Sequence, residues 1–333
     1  MPTIGLCGEA HTHSAQLNRE FGVRSILGFV SHKPVQVFPT LKVIGGMTMY
    51  VAFVDLLGFS SAVESLSEAD DVSFADLVSE TTSLGSKTPY SYHLSSSSVR
   101  NLYDMYTEFQ RECEKAAWVL SEYHSHVRFS QKMSAPDAQG DNFSYKAVVF
   151  SDSIFLAASS LEPVIDAAGE LIANLLLKKI PSRGSIAKGS FRTFEWNLKT
   201  GQGASFTACA PFLGSGVIRA YHTESKGPRG IRLLINKSCW QDVQALDSWA
   251  LLSLSPDEMS EHWGHEVNLD LYGLSGNANI TLLQMMAEEL SNLVPDNIKA
   301  RHYDPTLSAY SRMAAVDRDQ PRQFTRSDWR DEF

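Results

Sequence analysis

Two apolar runs, each interrupted by one carboxylate, constrain this chain more than any other feature. VAFVDLLGFSS at 51–61 and AVVFSDSIFLAA at 147–158 have the β-branched and aromatic content of buried strands, yet they carry Asp55 and Asp152. An ionised carboxylate there loses its hydration, which is costly unless hydrogen bonds or a cation replace the water. Taken singly, each aspartate reads as a turn or helix-capping residue at a strand end. Taken together, they read as ligands of shared divalent ions.

The surrounding pattern says where those strands sit. A strand near Met49–Leu57 is followed by GFSS, a turn with hydroxyls suited to starting a helix, so Gly58, Phe59 and Ser60 offer backbone amides to an anion. Residues 65–100 are rich in serine and acids and read as a surface insertion outside the core. Apolar residues from Leu102 to Ala117 recur at three- and four-residue steps, as one face of a long helix requires. YKAVVF and IFLAAS, split by Ser151-Asp152-Ser153, predict a hairpin with the aspartate at its tip. A helix over Leu161–Ile180, a strand at RGSIAKGSF, a turn and helix in FLGSGVIRAYHTES and a strand at GIRLLIN complete the order β-α-α-β-β-α-β-α-β.

This order predicts an α/β (α+β) domain at 47–242, a mixed sheet covered by helices. Residues 1–46 read as an N-terminal extension, 243–300 as a C-terminal helical extension, and 301–333 as a polar, extended tail. A hydrophobic content of 43% in 333 residues is enough for one large core. The net charge of −9 argues against a nucleic-acid surface, so an anionic ligand needs a local positive site. Cys7, Cys113, Cys209 and Cys239 are widely spaced without a CxxC pair, which fits a reducing compartment. No apolar run reaches membrane-spanning length and no leader pattern opens the chain, so the expected location is the cytoplasm, away from membranes.

Other motifs carry less. His11 and His13 read as solvated side chains, and His124 and His126, two apart on a helix, do not share a face. There is no HExxH, GxSxG or P-loop, and GQGAS at 201–205 is a glycine turn without a dinucleotide fingerprint.

VAFVDLLGFS, VVFSDSIFLA, RGSIAKGSF and GSGVIRAYHTES, in this order between Met49 and Asn236, resemble the pyrimidine cyclases of bacterial Pycsar antiphage systems, relatives of class III nucleotidyl cyclases. The resemblance implies a ferredoxin-like (palm) fold and a homodimer with active sites at the interface. It implies two Mn²⁺ or Mg²⁺ ions held by Asp55, Asp152 and the carbonyl of Leu56. It further implies that the 3′-hydroxyl of UTP, or less readily CTP, attacks the α-phosphate to give a 3′,5′-cyclic nucleotide and pyrophosphate. A separate cyclic-nucleotide-responsive effector would then read the product.

Departures from the adenylate and guanylate pattern are informative. Val148 stands where those enzymes carry a lysine, Ser151 where they carry a glycine, and Ile218 and His222 where they carry asparagine and arginine. Replacement cations are Arg183, Lys188 and Arg219. Arg183 is the preferred triphosphate contact because a guanidinium grips phosphate bidentately; its plain alternative is a salt bridge. Lys188 is expected to point to solvent. Tyr221 fits the family's late-helix pattern, as does Glu224, and reads as a base-stacking residue or as helix core. Two further readings stay open: a catalytically silent, nucleotide-binding sensor, and another two-metal phosphotransfer enzyme, although no GGDEF-like stretch favours a dinucleotide cyclase.

Overall fold

A computed structural model describes residues 48–84, 88–134, 144–193, 196–199, 205–208, 212–244, 246, 251–271 and 280–315. The 1–46 extension lies outside the described residues, as do its histidines and Cys7, Cys209 and most of the GQGAS turn.

β1 (Thr48–Leu56) divides its side chains between two cores. Tyr50, Ala52, Val54 and Leu56 face one hydrophobic cluster, and Met49, Val51 and Phe53 face the other. A strand covered on both sides has no water-facing position to fill with polar residues, which is why this run reads as continuously apolar. Asp55 falls on the second face by the strand's twofold alternation.

After β1 come α1 (Phe59–Glu64), α2 (Glu68–Leu84), a 3₁₀ turn (Tyr90–Leu94) and α3 (Ser97–Ser134). The expected hairpin is β2 (Tyr145–Phe150) and β3 (Ser153–Ala158), and α4 (Leu161–Leu177) leads to β4 (Ser182–Ser190). Two small ladders follow, β5 (Arg192–Thr193) with β8 (Phe212–Leu213) and β6 (Trp196–Lys199) with β7 (Ser205–Ala208). α5 (Ser215–Lys226) then carries the chain to β9 (Leu233–Asn236), parallel to β4. The rest is α6 (Trp240–Val243), β10 (Leu251–Ser253), β11 (Trp263–Val267), α7 (Ile280–Ser291), α8 (Asp296–Ile298), a π-helical turn (Lys299–Tyr303) and α9 (Asp304–Ala314).

The seven strands of the main sheet lie in the order β10-β11-β9-β4-β1-β3-β2. Its right half, β4-β1-β3-β2 laid down as β-α-β-β-α-β, is a split βαβ unit of ferredoxin type. α3 and α4 cover one face: Phe109, Cys113 and Leu120 pack with Leu171, Ile172 and Leu175, all essentially inaccessible. Each of these side chains other than Cys113 contributes about 1.5–3 kcal/mol by leaving water. Lys178, just past α4, ties the two helices by binding Glu112 of α3 at 2.6 Å. α5 covers the other face. There strand and helix backbones touch, for a Cβ on Gly189 would lie 2.3 Å from the Gly216 amide nitrogen.

Several expectations are corrected. Residues 65–100 are not an insertion outside the core: Leu77 of α2 is fully buried against Val99 and Tyr103 of α3. The acids that suggested a loop, Glu68, Asp71 and Asp76, occupy the wet side of that helix. The 243–300 segment is not purely helical, because β10 and β11 extend the sheet beyond β9. The segment from Arg301 does not trail away as an extended tail. Tyr303, Thr306, Tyr310 and Met313 form a buried stripe at helical spacing that the charged residues dilute. Tyr310 donates its hydroxyl to the Ile231 carbonyl at 3.0 Å, and the Ile231 amide donates to Thr306 Oγ1 at 2.8 Å. Residues 316–333 lie outside the described residues. Lys188 does not point to solvent but binds Asp242 at 2.8 Å, 5.2 Å from the Tyr50 ring centroid.

Candidate active site

The two aspartates meet at one end of the sheet. In the ladder Asp55 stands opposite Ser153 of β3 on one side and Arg183 of β4 on the other. The Leu56 amide donates to the Asp152 carbonyl at 3.0 Å, which locks the hairpin tip beside the end of β1. Ser153 Oγ donates to Asp55 Oδ1 at 2.6 Å, and Ser60 Oγ reaches Asp152 Oδ2 at 3.4 Å. Carboxylates remote in sequence are thus neighbours, close enough for the Asp152 charge to act on Asp55.

Register explains the placement of Asp152. Phe150 pairs with Ser153, leaving Ser151 and Asp152 as a two-residue hairpin loop. Tight loops of this kind demand positive φ, and Ser151 has φ 50°. The left-handed region costs an L-residue about 1–2 kcal/mol. Ser151→Gly is therefore expected to stabilise the protein by about 0.5 kcal/mol after the entropy of the unfolded glycine is subtracted. Ser151→Val, β-branched, is expected to destabilise it; urea unfolding midpoints of the two variants check both signs.

Burial is the main influence on the Asp55 carboxyl and pushes it up; the charge of Glu224 adds to this. The Ser153 hydrogen bond opposes the rise, Asp152 reinforces it and Arg183 pulls back weakly, leaving Asp55 at about 7. Asp55 is thus crowded by like charge and short of water.

Arg183 and Glu224 form an ion pair with side chains only 12% and 4% exposed. Burial raises the Glu224 carboxyl above its ordinary value even though the guanidinium opposes it. Arg183 Nη1 is buried without a hydrogen-bond partner, so its fork is not fully used. Arg219 is occupied differently, donating to the Lys188 carbonyl at 2.8 Å.

The remaining predicted residues divide. Gly58 precedes α1 with φ 84°, where glycine is the default, and no side chain caps that helix. The amides of Phe59 and Ser60 thus begin α1 without intrahelical acceptors, while the Phe59 ring is core, packed against Phe74 and Tyr106. The Tyr221 ring lies edge-on to Phe53 with centroids 5.6 Å apart, inside the aromatic cluster of the second face. Sequence reasoning missed Ser153 as the orienting partner of Asp55, because they are opposed only by the pairing of β1 with β3, which are remote in sequence. It noted Glu224 without giving it a role at the site.

The donor set suits a hard, substrate-completed ion. Among the described residues no group of three or more His, Cys, Asp or Glu could enclose a metal. Two carboxylates are what Mg²⁺ or Mn²⁺ uses when water and substrate phosphates complete the shell. No helix among the described residues is long and apolar enough to cross a membrane.

No protein-family model matches the sequence, and no curated protein matches it. Among solved structures, the crystal structure of the guanylyl cyclase Cya2 matches at 13% identity and a TM-score of 0.33, over 67% of this chain and 92% of that one. A likeness that faint leaves function to be judged from the chain's own residues.

Proposed function

We propose that this protein is a nucleotidyl cyclase that closes a nucleoside triphosphate to its 3′,5′-cyclic monophosphate. The observation that carries the reading is the convergence of Asp55 and Asp152 through Ser153 and the Leu56 amide. Asp55, Asp152 and the Leu56 carbonyl would hold two Mn²⁺ or Mg²⁺ ions. Bound there, the ions supply charge that acidifies the ribose 3′-hydroxyl and screens the triphosphate. The chain's own residues do the positioning. Ser153 fixes one Asp55 oxygen by hydrogen bonding and so orients the other. Gly58 lets β1 turn sharply so that the first amides of α1 can receive phosphate oxygens. In the reaction the 3′-hydroxyl releases its proton to solvent as its oxygen bonds to the α-phosphorus in line, the bond from the α-phosphorus to the bridging oxygen breaks, and pyrophosphate leaves.

The finer reading follows the resemblance. UTP is preferred over CTP, the enzyme is a homodimer with shared active sites, and its product serves antiphage signalling through a separate effector. Val148, in place of the base-reading lysine, supports a base preference other than purine. The Arg183–Glu224 pair favours a second reading, a silent nucleotide-binding sensor, because it engages the preferred triphosphate cation.

Purified protein with Mn²⁺ and each of the four ribonucleoside triphosphates is expected to yield cyclic UMP and pyrophosphate, identified by mass. Nucleotide binding with no product from any triphosphate would establish the sensor instead.

A further inference from the structure

A group of basic residues, joined to Asp55 through Arg183, is not explained by the metal site. Arg183 faces it from β4; Arg229 lies in the loop before β9, and Arg301 and His302 lie in the π-helical turn Lys299–Tyr303. Isolated π turns recur at functional sites. Here the turn is pinned to the Arg229 loop. Thr306 Oγ1 accepts from the Ile231 amide at 2.8 Å and donates to the His302 carbonyl at 2.6 Å. Gly230 permits this approach, since a Cβ there would lie 3.0 Å from the same Thr306 oxygen.

The group is under-compensated. The carboxylates these cations meet are Glu224, already bound by Arg183, and Asp55, opposite Arg183 in the ladder. Among the described residues no salt bridge ends on Arg229 or Arg301. Burial holds the Arg229 guanidinium below its usual range, and repulsion from Arg183 and Arg301 adds to that. Burial, followed by the charges of Arg183, Arg301 and Arg229, drives His302 down to about 4, so at neutral pH its imidazole is uncharged. Its Nδ1 and Arg183 Nη1 are buried without hydrogen-bond partners. Guanidinium groups within electrostatic reach of one another, Arg183 among them with an unspent donor, are what a polyanion relieves. A chain of net charge −9 gains a local positive site here that its composition alone does not promise.

We propose that Arg229, Arg301 and His302 join Arg183 in a seat for the β- and γ-phosphates of the nucleotide, so that the C-terminal segment completes the substrate site. The assignment of this polyphosphate to a nucleotide rests on the cyclase reading; the seat itself rests on the cations. Arg183, cross-strand to Asp55, links it to the aspartate pair. The α-phosphate would lie at the acids and the leaving pyrophosphate at the arginines.

The test uses the full chain and inorganic tripolyphosphate, by calorimetry in EDTA, so that metal-bridged binding is absent. Wild type is expected to bind it, and Arg229→Ala with Arg301→Ala to weaken binding about tenfold or more. Asp55→Ala is expected to bind tripolyphosphate at least as well as wild type, since it removes a negative neighbour. In turnover assays with Mn²⁺, the double variant is expected to raise KM about tenfold with a smaller change in kcat, and lysine at both positions to recover part of the loss. Unchanged tripolyphosphate affinity and unchanged KM in a wild type that does cyclise nucleotides would overturn the seat and leave the cyclase reading intact. Arginine-dependent tripolyphosphate binding by a wild type that cyclises nothing would support the seat and sink the cyclase reading.

Discussion

Asp55→Ala and Asp152→Ala are each expected to abolish cyclisation, by about a thousandfold or more, without unfolding the protein. The charge stabilisation that an ion gives a phosphoryl transition state is worth several kcal/mol, and each carboxylate is one of the two charged ligands that would hold it. Stability should move the other way. Asp55 is buried and repelled by Glu224 and Asp152, so metal-free Asp55→Asn, which keeps the Ser153 hydrogen bond, is expected to melt above wild type. Added Mn²⁺ should then raise the melting temperature of wild type and leave that of Asp55→Asn nearly unchanged, because only a ligand that binds the native state stabilises it. Gross unfolding of both alanine variants would instead mean that the two acids are structural caps. Melting curves with and without Mn²⁺, taken beside the turnover assay, separate the two.

The sequence made this pair legible because a carboxylate inside a continuous apolar strand is rare and expensive. Hairpin prediction alone then placed Asp152 at a tip. What stayed hidden was everything supplied by distant elements. Glu224 reaches Arg183 from α5, and nothing in either local pattern announces a partner. Arg229 and Arg301 are ordinary surface residues by sequence and become neighbours only because Thr306 docks on Ile231. Tyr221 shows the opposite case: an aromatic on a helix face reads as core or as ligand contact, and its ring against Phe53 supplies the core contact.

The same division runs through the fold. Strands β1, β3 and β4 and helices α3 and α4 announce themselves by unbroken or periodic apolar content, since burial on both faces, or along one stripe, imposes that content. α2 was missed because its inward stripe is as thin as Phe74 and Leu77, set among serines and acids that ordinarily mark loops. β10 and β11 were missed because they are three and five residues long, too short for a period to register. α9 was missed because three arginine and aspartate residues, Arg301, Asp304 and Arg312, mask the stripe ending in Tyr310 and Met313.

That last helix is also secured by charge, and Glu266→Ala is the substitution expected to destabilise the fold most. Glu266 of β11 is fully buried, and its two oxygens bind Arg232 Nε at 2.6 Å and Arg312 of α9 at 3.0 Å. Glu258 binds the same two arginines at 2.5 Å and 3.1 Å, so the four charges cancel. Removing Glu266 leaves Arg232, 1% exposed, with half its compensation in a site that water does not reach. Breaking such a buried pair costs about 3–5 kcal/mol. Replacing both partners, Arg232→Met with Glu266→Leu, is expected to cost less than Glu266→Ala alone, because no charge is stranded. Acid should attack the same joint. Burial pushes the Glu258 carboxyl up, but hydrogen bonds and charge from Arg232, with help from Ser255 and Arg312, outweigh it and hold the group at about 2. A carboxyl depressed in the folded state stabilises fully above its unfolded value, 4.5, and that contribution is lost as pH falls from there towards 2. Wild type is therefore expected to lose about 2 kcal/mol of stability across that window from this group, and Glu258→Gln to lose correspondingly less. Urea unfolding at pH 7, 4 and 3 reads out both effects; parallel losses in wild type and Glu258→Gln would show that the network does not hold α9 to the sheet through Glu258.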